Sequence, residues 1–184
     1  MKHLILTALL AASLTVHAQQ PLGYGPLLNL AKEIYFSDSI ELRNTTDERT
    51  LLDSNTVKSL FPKVLPDGPL NKFRNRTYSL TGKITTHQQF DLLVLMEEKT
   101  KGDSITTRVV YLISMKKTGE YIASLKAAVS GTKKKTGYFI TSCLYKDFKI
   151  VQDSKITVDN KAYDDMALYK ISAAGRFISY PRME

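Results

Sequence analysis

The chain has 184 residues, with 26 basic and 18 acidic side chains and a formal charge of +8 at neutral pH. A hydrophobic fraction of 43% and a charged fraction of 24% are typical of a globular protein and argue against a disordered chain. The single cysteine excludes an intrachain disulfide framework, and the length predicts one domain.

Residues 1–18 have the pattern of an export signal. Lys2 precedes a mostly apolar run over residues 4–12, which is shorter than the ~20 residues that a membrane-spanning helix requires. Short side chains then lie at the positions that signal peptidase recognises, so we expect cleavage between Ala18 and Gln19. The sequence therefore predicts a mature protein that is periplasmic or secreted and has no transmembrane span.

Residues 19–74 are predicted as a lead-in followed by short helices. Apolar residues at near-helical spacing predict an amphipathic helix over 27–36. A second helix is predicted over 55–61, with Asp53 or Ser54 as its N-cap. Both helices belong to the same domain as the strands that follow.

After a proline-containing turn at 66–69, the hydrophobic period changes to two, which is typical of strands. The segment from Phe90 to Met96 is nearly all apolar, which predicts a mid-sheet strand buried on both faces. Further strands are predicted over 78–84, 105–115, 121–125, 137–145, 147–158, 166–173 and 175–180. Their short connections make the sheet antiparallel. We therefore predict an α+β, mainly β fold, in which the N-terminal helices precede a curved antiparallel meander of about 7–8 strands over 75–184.

Several short motifs of the strand region carry a resemblance to other proteins. They are Tyr78-x-Leu80-x-Gly82-Lys83-Ile84, Phe90–Met96, Tyr111–Ile113 with Gly119, Tyr145–Phe148 with Ile150, and Leu168–Ile171 with Gly175–Phe177. In these pieces the chain resembles a group of uncharacterised secreted and periplasmic proteins of Bacteroidota-type bacteria, with hairpins like those of β-propeller blades. The strand region is too short for the four blades that a propeller needs. The resemblance implies an exported meander sheet and no particular activity.

Few residues of the mature chain could carry catalysis. Cleavage removes His3 and His17, which leaves His87 and Cys143 as the only histidine and the only cysteine. Cys143 lies in mid-strand, away from the helix N-termini that activate thiols, and we expect it to be buried as a small hydrophobic residue. His87 lies in a polar turn, which disfavours a thiol–imidazole dyad. We therefore predict no catalytic residue, no metal site and no cofactor.

Acidic residues offer two further kinds of site. The carboxylates that could pair for glycoside hydrolysis are Asp91, Glu97, Glu98 and Asp147, and we interpret them as solvated strand ends. A calcium site could use the aspartates within 159–165, which are Asp159, Asp164 and Asp165. That stretch lacks the alternating ligands and central glycine of a calcium loop. We interpret it as a solvated hairpin tip.

Positive charge is concentrated in the strand region, since residues 71–184 carry a net charge of +9. The candidate ligand-binding surface combines lysines with neighbouring aromatic residues: Lys133, Lys134, Lys135, Tyr138, Tyr145, Lys146 and Lys149. Such a surface can bind an anionic ligand or an envelope protein. The alternative is that these lysines keep the sheet soluble and prevent edge-to-edge pairing. Export argues against nucleic acid as a partner.

These observations predict an exported, non-catalytic β-sheet protein that acts as a binding or interaction module of the cell envelope. A small, basic module would also suit an inhibitor or immunity-type protein. A third possibility is a cell-envelope hydrolase that uses a carboxylate or Cys143. The scarcity of catalytic residue types after cleavage favours the first hypothesis.

Overall fold

The computed structural model describes residues 22–42, 49–64, 75–101, 104–133, 136–159 and 161–180. The predicted export signal with its cleavage site at Ala18 and Gln19, and the turn at 66–69, lie outside these ranges. The described chain forms two helices, α1 (Tyr24–Leu30) and α2 (Ser54–Leu60). It also forms ten strands: β1 (Ser39–Leu42), β2 (Thr50–Leu52), β3 (Arg76–Ile84), β4 (Phe90–Lys101), β5 (Ser104–Lys116), β6 (Tyr121–Lys133), β7 (Thr136–Tyr145), β8 (Lys149–Val158), β9 (Lys161–Ile171) and β10 (Phe177–Tyr180).

The strands form one antiparallel sheet in which β2 to β10 are neighbours in chain order. The mainly β, antiparallel meander predicted from the sequence is therefore confirmed. The number of strands differs from the prediction: the described ranges hold ten strands, whereas about 7–8 were expected. The two strands that were not predicted are β1, which pairs with β7, and β2, which pairs with β3.

Helix α1 ends at Leu30, although the predicted helix ran over 27–36. The chain turns there because residues 32–34 bond to β3 at Lys83, beyond the part of that strand that pairs with β2. The amide of Ile34 donates to the carbonyl of Lys83 at 2.8 Å, and the amide of Lys83 donates to the carbonyl of Lys32 at 2.8 Å. Gly82 permits this approach, since a Cβ there would lie 2.5 Å from Cδ1 of Ile34. The apolar Ile34 thus packs against the sheet and not on a helix face.

Helix α2 confirms the predicted helix and its cap. The Asp53 carboxylate accepts hydrogen bonds from the amides of Asn55 at 2.8 Å and Thr56 at 2.9 Å. These are two of the donors at a helix N-terminus that have no partner within the helix. The hydrogen bonds from Thr56, of its side chain and then of its backbone, lower the pKa of Asp53. Val57, in the next turn, is fully buried against the sheet.

We expect Asp53→Ala to lower the free energy of unfolding by about 1 kcal/mol at neutral pH, because two helix amides lose their acceptor. The folded-state pKa of Asp53 lies below its ordinary value of 3.8, so the stabilisation is present above that pH. It is lost as the pH falls through the lower, folded-state value. Urea unfolding of both proteins at neutral and acidic pH would show this as a stability difference that shrinks in acid. A difference that grows in acid would contradict the cap.

Two hydrophobic cores lie on opposite faces of the sheet. The first lies between the helices and the sheet, and its fully buried members include Leu27, Val57, Phe61, Leu93 and Ile113. The second lies inside the curl of the sheet, where residues of β4 and β5 meet residues of β8 and β9; it includes Leu92, Leu112, Leu144, Ile150 and Ile171. Strand β4 contributes to both cores and is buried from Phe90 to Glu98. The prediction of a mid-sheet strand buried on both faces is confirmed.

Neither helix within the described ranges has the length and apolar character needed to cross a membrane.

Candidate functional site

A large apolar surface groove lies on the outer face of strands β7 to β10, opposite the second core. We call it the outer groove; its floor is formed by Tyr145, Val151, Met166, Leu168 and Tyr180. The groove has a volume of about 920 Å³. Four of these side chains are substantially exposed: Tyr145 by 39%, Met166 by 48%, Leu168 by 38% and Tyr180 by 51%.

The register of the strands explains how the groove forms. Cys143 lies opposite Val151, Val151 opposite Leu168, and Leu168 opposite Tyr180, so these four residues form one row across four strands. Successive side chains of a strand point to opposite faces. The intervening residues, such as Ile150, therefore point into the core. The row spans about 14 Å, because neighbouring strands lie about 4.8 Å apart.

A pair of lysines borders this apolar row. Lys149 and Lys170 lie directly opposite each other on β8 and β9, one step along the face from Val151 and Leu168. Lys149 forms an ion pair with Asp147 at 2.7 Å, and the hydrogen bond and charge of Asp147 raise the pKa of Lys149. Within the part of the chain that the structure describes, Lys170 has no carboxylate partner.

The other side of the apolar row is acidic. Asp153 lies opposite Met166, two residues along β8 from Val151. Beyond it, Lys155 lies opposite Asp164, so the outer face becomes charged and polar again. The apolar surface is thus confined to a band between a basic edge and an acidic edge.

The structure brings together only some of the predicted ligand-binding residues. Tyr145 and Lys149 line the outer groove, and Lys146 is exposed in the turn between them. Tyr138 lies seven residues from Tyr145 along β7, about 23 Å away and on the opposite face. The side chain of Lys133 and all of Lys134 and Lys135 lie outside the described residues.

The sequence-based prediction missed most of the groove floor and one of its lysines. These residues are Val151, Met166, Leu168, Lys170 and Tyr180. A usable pattern was present, because apolar residues occupy both alternating sets of positions in β8 and β9. In a sheet with one solvated face, the second apolar set indicates an exposed surface with a function.

Cys143 is half-buried in β7, whereas the sequence predicted burial. It lies beside the groove floor, and its charge and hydrogen bond raise the pKa of the neighbouring Tyr145 phenol. His87 is exposed in the turn between β3 and β4. Strands β1, β6 and β8, which pair with β7, carry no histidine.

Three carboxylates that were interpreted as solvated strand ends are buried in β4. Asp91 is 5% exposed, Glu97 is 3% exposed and Glu98 is 4% exposed. Lys117 bonds to Asp91 at 2.5 Å. Adjacent residues of a strand point to opposite faces, so Glu97 and Glu98 cannot act on the same substrate atom. The expectation of solvent-exposed side chains was wrong because each carboxylate has a basic partner from another part of the chain.

Glu98 is held by two arginines. The guanidinium of Arg49 lies 2.6 Å from one carboxylate oxygen, and Nε of Arg108 lies 2.8 Å from the other. Burial alone would raise the pKa of Glu98, but the hydrogen bonds and charges of both arginines outweigh it and hold that pKa below its usual range. Glu98 therefore stays ionised and paired, which suits a structural role.

Two of the aspartates predicted at a hairpin tip lie elsewhere. Asp159 is in the turn after β8, but Asp164 and Asp165 lie within β9, which begins at Lys161. Within the described residues, no three histidine, cysteine or acidic side chains come together as a metal site would require.

Comparison with known proteins yields no relative: no protein family model, curated protein or solved structure matches this chain.

Proposed function

We propose that this chain is an exported, non-catalytic binding module of the cell envelope, and that it binds its ligand in the outer groove. The observation that carries the proposal is the row of apolar side chains at Val151, Leu168 and Tyr180, in which Val151 is half-buried and the other two are exposed. The export signal predicted over residues 1–18 supports a site of action outside the cytoplasm.

The groove has the features of a binding surface. Apolar side chains exposed next to each other in register cost free energy, which a ligand recovers at about 25 cal/mol per Å² of apolar area covered. The surrounding outer face is charged, at Asp153, Lys155 and Asp164. A volume of about 920 Å³ lies within the range of small-molecule sites. These features favour a small ligand with an apolar body.

The state of the acidic residues supports a non-catalytic role. Paired carboxylates of a glycosidase line one cleft, one of them acting as an acid. Here Asp91, Glu97 and Glu98 are buried in β4 and paired with basic side chains. None of them lines the outer groove.

The proposal predicts that the purified protein binds the uncharged dye Nile red and that Leu168→Ser weakens this binding about tenfold. The reason is the loss of one apolar side chain, worth about 1.5 kcal/mol, from the centre of the groove floor. Fluorescence titration of the dye measures the dissociation constant. The mature protein purified after export is the form to use.

The matched control is Leu51→Ser, which removes the same side chain from β2, where Leu51 is 68% exposed and far from the groove in the strand order. This variant should bind the dye like the unmodified protein. Equal losses in both variants, or an unmodified protein that does not bind the dye, would refute the outer groove as the binding site.

A further inference from the structure

The paired lysines at the edge of the outer groove indicate the chemistry of its ligand. We infer that the groove binds a single-chain anionic amphiphile, with its acidic group at Lys149 and Lys170 and its apolar chain along Val151, Leu168 and Tyr180. This inference rests on the proposed function and specifies the ligand class.

Electrostatic repulsion within the lysine pair favours an anionic ligand. Lys149 and Lys170 lie directly opposite each other on neighbouring strands, and like charges in that arrangement destabilise a sheet. Asp147 offsets only one of the two charges, because it pairs with Lys149 at 2.7 Å. An anion at this edge would offset the remaining charge and remove the repulsion.

The spacing between the lysine row and the apolar row suits an amphiphile. The lysine row and the apolar row are two residues apart along β8 and β9, which corresponds to about 7 Å. An acidic group bound by the lysines therefore lies beside the apolar row and not at a distant site. Val151, Leu168 and Tyr180 span about 10 Å of the apolar row, so a hydrocarbon chain can extend along it from the lysines.

The edge of the groove opposite the lysines carries a negative charge. Asp153 lies next to Met166 on the far side of the apolar row, so an acidic ligand group would be repelled there. The orientation that places the acidic group of the ligand at the lysines is therefore favoured over the reverse. A neutral apolar ligand would gain nothing from this asymmetry.

The test compares decanoate with decanol, which share one hydrocarbon chain and differ in the charged group. Both displace Nile red from the groove, and decanoate should do so at about fivefold lower concentration, since an exposed charge pair is worth about 1 kcal/mol. Lys170→Gln should abolish this preference, so that decanoate and decanol displace the dye at similar concentrations. The control Lys155→Gln removes an exposed lysine of the same face beyond the apolar band, and it should keep the preference.

The outcomes separate this inference from the proposed function. If decanoate and decanol displace the dye equally, or if both lysine variants lose the preference alike, the inference fails and the groove remains an apolar binding site. If neither compound displaces the dye and the dye itself does not bind, the proposed function fails as well. High salt should reduce the decanoate preference and spare decanol.

Discussion

Replacing Glu97 by alanine is expected to lower the free energy of unfolding by about 4 kcal/mol. Glu97 is 3% exposed and lies at the centre of a buried polar cluster. Its carboxylate forms an ion pair with Arg76 and accepts a hydrogen bond from the phenol of Tyr111 at 3.0 Å. Removing one partner of a buried pair leaves the other charge without compensation, which typically costs 3–5 kcal/mol.

Tyr111 increases the expected loss. Burial, with the neighbouring Tyr78 as a second cause, raises the pKa of Tyr111 to about 12, so its hydroxyl is a donor at every pH where the protein would be studied. In the Glu97→Ala variant this buried donor loses its acceptor. A buried polar group without a partner costs about 1–3 kcal/mol, part of which is included in the total above.

Urea unfolding followed by circular dichroism measures the change, and Glu120→Ala is the matched control. Glu120 pairs with Lys116 at 2.6 Å, but both side chains are at least half exposed. An exposed ion pair contributes less than about 1 kcal/mol. Similar losses in the two variants would contradict the view that the Glu97 cluster stabilises the sheet.

The elements predicted correctly from the sequence are those set by local patterns. The unbroken apolar run from Phe90 to Met96 is sufficient to indicate a strand buried on both faces. Asp53, placed just before a short apolar-periodic segment, is sufficient to indicate a capped helix. In both cases the information lies within one window of the chain.

The elements that were missed depend on distant partners. Strand β1 pairs with β7, about a hundred residues later, and has no hairpin turn beside it to indicate a strand. Helix α1 stops at Leu30 because Lys83 supplies hydrogen bonds to the chain beyond it. No property of residues 27–36 alone distinguishes this from a longer helix.

Only part of the candidate site was predicted, because its other residues also depend on distant partners. Tyr145 and Lys149 are close in sequence, and a tight turn keeps them close in space. Leu168 and Tyr180 join them only through the register of β8, β9 and β10. Register depends on which face of each strand is buried, and that was ambiguous where both faces carry apolar residues.

Gly175→Ala is expected to lower the free energy of unfolding by about 3 kcal/mol and to weaken binding in the outer groove. Gly175 has a φ of +77°, a left-handed conformation that costs other residues about 1–2 kcal/mol. Its turn connects β9 to β10 and packs onto the inner face of the sheet. An added Cβ would lie 2.9 Å from Cδ1 of Ile122 and 3.2 Å from Cγ of Phe90.

The closest group to that Cβ would be the hydroxyl of Ser114, well inside van der Waals contact. Overpacking of this kind costs about 1–3 kcal/mol. Within the described residues, the Ser114 hydroxyl is buried without a hydrogen-bond partner. Ser114→Ala alone should therefore be neutral or slightly stabilising.

The double variant Gly175→Ala with Ser114→Ala separates the two costs, because it removes the hydroxyl contact and keeps the backbone strain. We expect it to recover about 1 kcal/mol of the loss.

Gly25→Ala is the control, since Gly25 lies in α1 with no atom within 4 Å of the new Cβ. This change should stabilise the protein by about 0.5–1 kcal/mol. Unfolding of all four variants measures stability, and Nile red titration measures the groove. Because Tyr180 lies in β10, the strand that follows this turn, a displaced turn should weaken dye binding in Gly175→Ala at temperatures where the variant remains folded. Unchanged binding in a destabilised, folded variant would show that the groove floor does not depend on the packing of the turn against β5.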